Sequence, residues 1–150
     1  MGFARYILLA PIVLGLLSPL LVKIQMYAAS ESIYQVLSVI CHQASSRCFW
    51  IAGAPMGICA RDVGIYLGVF IATYSSILNR KWRDKIIISF FLMFPLAVEK
   101  VALSSFPTTN TIRFVVGILA GFGIGIVFLS VGKSLFSRLN LRALRGGIKL

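Results

Sequence analysis

Between Arg5 and Lys23 the chain places 17 consecutive residues without a charge, Tyr6 to Val22, and it returns to long apolar runs three more times. These runs constrain the fold more than any other feature. A helix needs about 20 mostly apolar residues to cross the hydrocarbon layer of a membrane, and a small soluble domain has no use for several such runs in succession. Of 150 residues 59% are apolar and 13% charged, whereas an ordinary soluble domain is about 45–50% apolar and roughly 25% charged. Too little polar surface remains to wrap a globular core, which excludes a soluble enzyme, and the same apolar content excludes a disordered chain. A net charge of +11 would suit a nucleic-acid binder. At a mean hydropathy of +0.93 that charge reads instead as placed against a bilayer, and no nucleic-acid partner is expected.

The expected class is therefore an all-α membrane protein of one domain, with four transmembrane helices over about 6–22, 63–78, 86–103 and 111–131. Pro11 and Pro19 bend the first run, which extends toward Ala29 if Lys23 snorkels; with no small-x-small cleavage pattern after it, it reads as a retained helix rather than a signal peptide. The second is entered through Cys59-Ala60-Arg61-Asp62 and left through the charged stretch 79–85, and the third is apolar up to Glu99 and Lys100. Residues 104–110, with Pro107, read as a tight loop. The connection 23–62 is the long one. Ser32 and Gln35 form a capping-box pattern, and Ile33, Val36, Leu37, Ile40 and Cys41 follow at helical spacing, which predicts an outer amphipathic helix. Residues 43–59, rich in Ser, Gly and Pro, are expected to be irregular.

The distribution of cations gives an orientation. With the N-terminus inside, the cytoplasmic side holds ten of them (Arg5, Arg80, Lys81, Arg83, Lys85, Lys133, Arg138, Arg142, Arg145 and Lys149), against five outside (Lys23, Arg47, Arg61, Lys100 and Arg113). Asp84 lies inside, whereas Glu31, Asp62 and Glu99 lie outside, so the balance is +9 against +2. A multi-pass protein of the cell membrane with both termini cytoplasmic is expected. Within the tail, Arg138, Arg142, Arg145 and Lys149 share one helical face, opposite Leu135, Phe136, Leu139 and Ala143. Such a helix lies on an anionic leaflet, each cation adding on the order of 1 kcal/mol.

Gly117, Gly121 and Gly125 recur every fourth residue in the last run, and Gly64, Gly68 and Ala72 do so in the second. Small residues at this spacing let membrane helices approach closely. The two faces therefore serve bundle packing, a homo-oligomer or a membrane-protein partner. No ionisable residue stands at the middle of a run, which argues against an ion pump.

The residues able to do chemistry gather on the outer side. All three cysteines and the only histidine lie between Cys41 and Cys59. Cys41, His42, Cys59 and Asp62 make an acceptable tetrahedral ligand set for zinc or another divalent transition metal, with Cys59 and Asp62 one helical turn apart. A disulfide between two of the three thiols is the competing chemistry, allowed on the outer side, and plain packing of small apolar cysteines is the third reading. No C-x-x-C is present to support a thiol relay, and no nucleotide-binding motif is seen. Arg47 and Arg61 would offset the charge of two thiolates and a carboxylate, and Tyr66 could add a hydroxyl around the ligands. Glu99 is a candidate ligand or general base, with an ion pair to Lys100 or Arg113 as the favoured alternative.

At Cys41-His42-Gln43, Arg47, Cys59-Ala60-Arg61 and Gly64-Ile65-Tyr66-Leu67-Gly68 the sequence resembles a family of small archaeal and bacterial membrane proteins without an assigned activity, marked by CHQ, an Arg shortly after, and C-x-R-C-x-G-I-Y-x-G. In that family the second Cys of the latter motif is common; here it is Asp62, and Cys48 stands where the family usually has Ser. A ligand exchanged for another ligand type implies coordination rather than a disulfide, because a carboxylate binds metal and cannot pair with a thiol. Three functions follow as expectations: a structural or accessory subunit of a membrane assembly, in which a metal staples the first loop to the second helix; a membrane-embedded metalloenzyme acting on a lipid-linked or extracytoplasmic substrate; and a small oligomeric transporter or metal-handling protein.

Overall fold

The computed structural model describes the backbone over residues 3–75, 81–101 and 108–146, and side chains within those ranges except at 3–5, 83, 99–101 and 136–146. A 3-10 stretch, Phe3–Leu9, leads into α1 (Ala10–Lys23), followed by α2 (Tyr27–Ser38), a short 3-10 turn at Ser45–Arg47, strands β1 (Cys48–Ile51) and β2 (Ala54–Cys59), and helices α3 (Ala60–Ala72), α4 (Trp82–Val101) and α5 (Asn110–Gly146). Helical membrane architecture was expected, and helices dominate.

α1 stops at Lys23 instead of running on toward Ala29. Gln25 takes a left-handed φ of 63°, and the Met26 N–H bonds to Leu21 O while the Gln25 N–H bonds to Val22 O. That pair of bonds is a Schellman turn, which satisfies the last carbonyls and reverses the chain. α2 then starts at Tyr27 rather than at Ser32. Ser32 is interior to it, its hydroxyl donating to Ala28 O at 2.9 Å, so the Ser32/Gln35 pattern caps nothing. α1 and α2 are clasped by the buried Ser30 hydroxyl, which donates to Ser18 O at 2.9 Å.

The segment expected to be irregular is a β-hairpin. β1 and β2 pair antiparallel, Cys48 opposite Cys59, Trp50 opposite Pro55 and Ile51 opposite Ala54. Ala52 and Gly53 both have positive φ, 53° and 89°, the two-residue turn whose twist matches that of the flanking strands. Leu37, Cys41, Cys48, Met56 and Ile58 from α2, its exit and the hairpin form a buried apolar cluster beside α1.

α3 and α5 lie side by side and parallel. A Cβ built on Gly64 would meet Phe114 O and Ile118 N, one on Gly68 would meet Ile118 O and Phe122 N, and one on Gly125 would meet Ala72 Cβ. Only hydrogen at these positions permits backbone-to-backbone approach, so the two glycine faces meet each other within the chain. The hairpin is tied to the start of α5 by the Asn110 side-chain amide, which donates to Cys48 O at 2.9 Å, and by Phe49 edge-on to Phe114 at 5.9 Å.

Among the described residues two helices are long and apolar enough to cross a membrane, Tyr6–Lys23 and Asn110–Leu135. α3, expected over 63–78, has 13 residues, or about 20 Å of rise. α4 has 20, but charges in its first turn and at Glu99 and Lys100 confine its uncharged part to 86–98. Of the four expected transmembrane helices, two therefore meet both length and composition among the described residues. Outward-facing side chains are strongly apolar: Phe90, Phe91 and Phe128 are 69, 70 and 75% exposed. A continuous helix through Gly146 carries the backbone of the expected basic tail. The side chains of Arg138, Arg142 and Arg145, and Lys149 altogether, lie outside the described residues, as do the side chains of Glu99 and Lys100 and most of the loop 104–110.

Candidate metal centre

The site forms where three chain segments end. α2 closes at Ser38, and the N–H groups of Ile40 and Cys41 both bond to Leu37 O, tightening the last turn. Gln43 follows with a φ of 51°, and its side-chain amide donates to Tyr34 O at 2.7 Å. This reversal points Cys41 inward. β2 delivers Cys59, whose extended conformation makes it the residue before α3. Asp62 stands in the first turn of α3, where a carboxylate is favoured by the helix dipole.

The ligand atoms of Cys41, Cys59 and Asp62 all lie within 4.8 Å of one another. Cys41 Sγ accepts the Cys59 backbone N–H at 3.2 Å and that of Gln43 at 3.5 Å. Burial first, and then the Asp62 carboxylate that accepts the thiol hydrogen, push the Cys41 thiol up to about 12. The Cys59 thiol is raised by burial as well, against the lowering effect of the Asp62 backbone N–H. Both thiols therefore carry their protons at neutral pH, and an ion entering the group must displace them. Two sulfurs and a carboxylate oxygen within one ion's reach make three acceptable zinc ligands and leave one tetrahedral position open.

A cavity of about 490 Å³ opens beside the group, and Cys41, His42, Arg47, Cys59, Arg61, Asp62 and Arg113 are among its lining. Of the expected ligands, the structure brings Cys41, Cys59 and Asp62 together. His42, exposed on the cavity wall, stands outside the group of three. Arg47 and Arg61 line the cavity, while Tyr66 packs against the buried cluster and is not part of the lining. Cys48, its thiol raised to about 11 by burial, is fully buried in that cluster. All three cysteines are free thiols.

Arg113, weighed from the sequence only as one of two ion-pair partners for Glu99, also lines the cavity. Its Nε donates to Thr108 Oγ1 at 2.8 Å, and its Nη1 is buried with no hydrogen-bond partner among the described residues. The signal was present: in the expected topology Arg113 arrives on the outer side at the depth of Cys59 and Asp62.

Comparison with known proteins agrees with this picture of a membrane protein. A family model described as "Predicted membrane protein (DUF2085)" matches residues 41–127, from the first ligand through the middle of α5. An uncharacterized protein of Methanocaldococcus jannaschii is 34% identical over 108 residues, covering 68% of this chain and 69% of that protein. One of Methanothermobacter thermautotrophicus is 27% identical over 92 residues, covering 59% and 83% respectively. No solved structure matches the chain. The matched region contains all three gathered ligands, the cavity arginines and both glycine faces, and the chain belongs to the DUF2085 family of membrane proteins.

Proposed function

We propose that this membrane protein is built around a divalent transition-metal centre, zinc in the first instance, held by Cys41, Cys59 and Asp62. The ion ties the exit of α2 and the end of the hairpin to the start of α3, and the protein serves as a structural or accessory subunit of a membrane assembly. One observation carries this reading: three ligand atoms from residues 18 and 3 apart converge within 4.8 Å. Elemental analysis of the purified full chain tests it. About one divalent ion per chain is expected, falling to trace in Cys59→Ser and Asp62→Ala; a metal-free parent protein overturns it.

A second reading, a membrane-embedded metalloenzyme, is favoured by the open fourth position and the adjoining cavity of about 490 Å³. Catalytic zinc keeps such a position for water or substrate, whereas a structural site closes it with a fourth protein ligand.

The topology that goes with either reading is multi-pass with both termini cytoplasmic. The ten-to-five distribution of cations supports it. So does the parallel pairing of α3 and α5, since the chain must cross back between them and α4 is the described helix available to do so. The exposed apolar faces of α1 and α4 then meet lipid or a partner membrane protein.

A further inference from the structure

Resting on the site just described, we propose that the cavity beside Cys41, Cys59 and Asp62 is a binding site for a phosphate-type dianion, with Arg113 as its anchor. Among the described residues the lining carries three guanidinium groups, Arg47, Arg61 and Arg113, against the one carboxylate of Asp62. That is an excess of +2. Loading the centre does not remove it, because a dication that displaces two thiol protons leaves the local charge unchanged. A centre of two thiolates, one carboxylate and one dication carries −1 and is balanced by a single guanidinium. The other two have a different use.

The arginines reach the cavity from three separate places, the turn before β1, the first turn of α3 and the first turn of α5. Arg113 is fixed by its Nε bond to Thr108 Oγ1, at 2.8 Å, while Nη1, shielded from solvent, has no acceptor among the described residues. A buried guanidinium nitrogen without an acceptor costs free energy that an anionic oxygen recovers. Forked donors set around one cavity from three chain segments suit a tetrahedral oxyanion better than a planar carboxylate, whose two oxygens cannot serve them all. A volume of about 490 Å³ accommodates a phosphoryl group and a small substituent. The phosphoryl group has two sources: a soluble phosphate or phosphate ester outside the cell, or the headgroup of an anionic lipid.

The test uses the full chain in detergent and in nanodiscs, titrated calorimetrically with inorganic phosphate, and in parallel reconstituted in phosphatidylcholine with and without phosphatidate. Saturable phosphate binding, weakened about tenfold or more in Arg113→Gln and less in Arg113→Lys, supports a soluble ligand. Preferential retention of phosphatidate, lost in the same variant, supports the lipid. No saturable binding in either arm, or an Arg113→Gln protein that binds as the parent does, overturns the proposal. If Arg113→Gln does not fold, the exposed Arg47→Gln replaces it with the same expectation. Metal content is measured on every sample. Phosphate binding by a metal-free parent would overturn the metal reading and leave this one standing, and a metal-loaded parent that binds no phosphate would do the reverse.

Discussion

Cys41 Sγ accepts the backbone N–H of Cys59 at 3.2 Å, joining the exit of one helix to the entry of another across 18 residues of sequence. The contact fixes the first two ligands relative to each other before any ion arrives. Sulfur is a weak acceptor, and a thiolate bound to metal is a stronger one, so ion binding and this hydrogen bond reinforce each other.

Metal affinity should depend steeply on pH. Both thiols are raised above the ordinary range, Cys41 to about 12, so at neutral pH an ion displaces about two protons and its affinity rises roughly a hundredfold per pH unit. Acidification therefore releases the ion. Competition with a chromophoric chelator between pH 6 and 8 measures the slope, and a flat profile would exclude the two thiols as ligands.

Cys48 and Cys59 face each other in the hairpin and should behave differently when replaced. Cys48→Ala should lose about 1 kcal/mol of stability through the buried cluster and keep its metal. Cys59→Ser should lose the metal. Thermal unfolding and elemental analysis on the two variants separate packing from coordination.

Glycine at the α3–α5 contact is required by approach distance. Gly121→Ala puts a methyl group against the Ile65 backbone and should cost about 1–3 kcal/mol as the helices are forced apart. Gly132→Ala, with nothing within 4 Å of the added carbon, should be neutral or stabilising by up to about 1 kcal/mol through helix propensity. Melting temperatures in one detergent compare the two; equal effects would refute the close helix contact.

The hairpin turn carries a correctable strain. Ala52 sits at a φ of 53°, where a Cβ costs roughly 1 kcal/mol. Ala52→Gly should recover about half of that after the entropy of the unfolded chain is counted, and Ala52→Val should lose stability. Denaturant midpoints for the two should fall on opposite sides of the parent.

Much of the helical architecture was legible because the bilayer imposes its length and polarity on the chain directly. The start of α5 was anticipated to within one residue, at Thr111 against Asn110, since the apolar run ends where solvent begins. The hairpin was not legible. Its strands are of four and six residues, too short for alternation to stand out, and Gly and Pro read as breakers although Gly53 makes the turn and Pro55 occupies a strand with a free edge. The Ser32/Gln35 pattern misled for a related reason. A capping box is a local preference, and the Schellman turn at Gln25 had already set where α2 begins.

For the candidate site, residue chemistry alone selected Cys41, Cys59 and Asp62, because thiols and carboxylates are scarce here and these stand close together along the chain. The same reasoning included His42, which is adjacent to Cys41 along the chain yet stands outside the group of three, and weighed Arg113 only as one of two ion-pair partners for Glu99. Sequence determined the solvent this protein lives in and the types of ligand it could offer. Which of those ligands converge, and that Arg113 joins their cavity, was decided by tertiary structure: the reversal after α2, the twist of the hairpin and the parallel packing of α3 against α5 set the direction of each side chain, and direction is not encoded by spacing once the chain leaves a single helix.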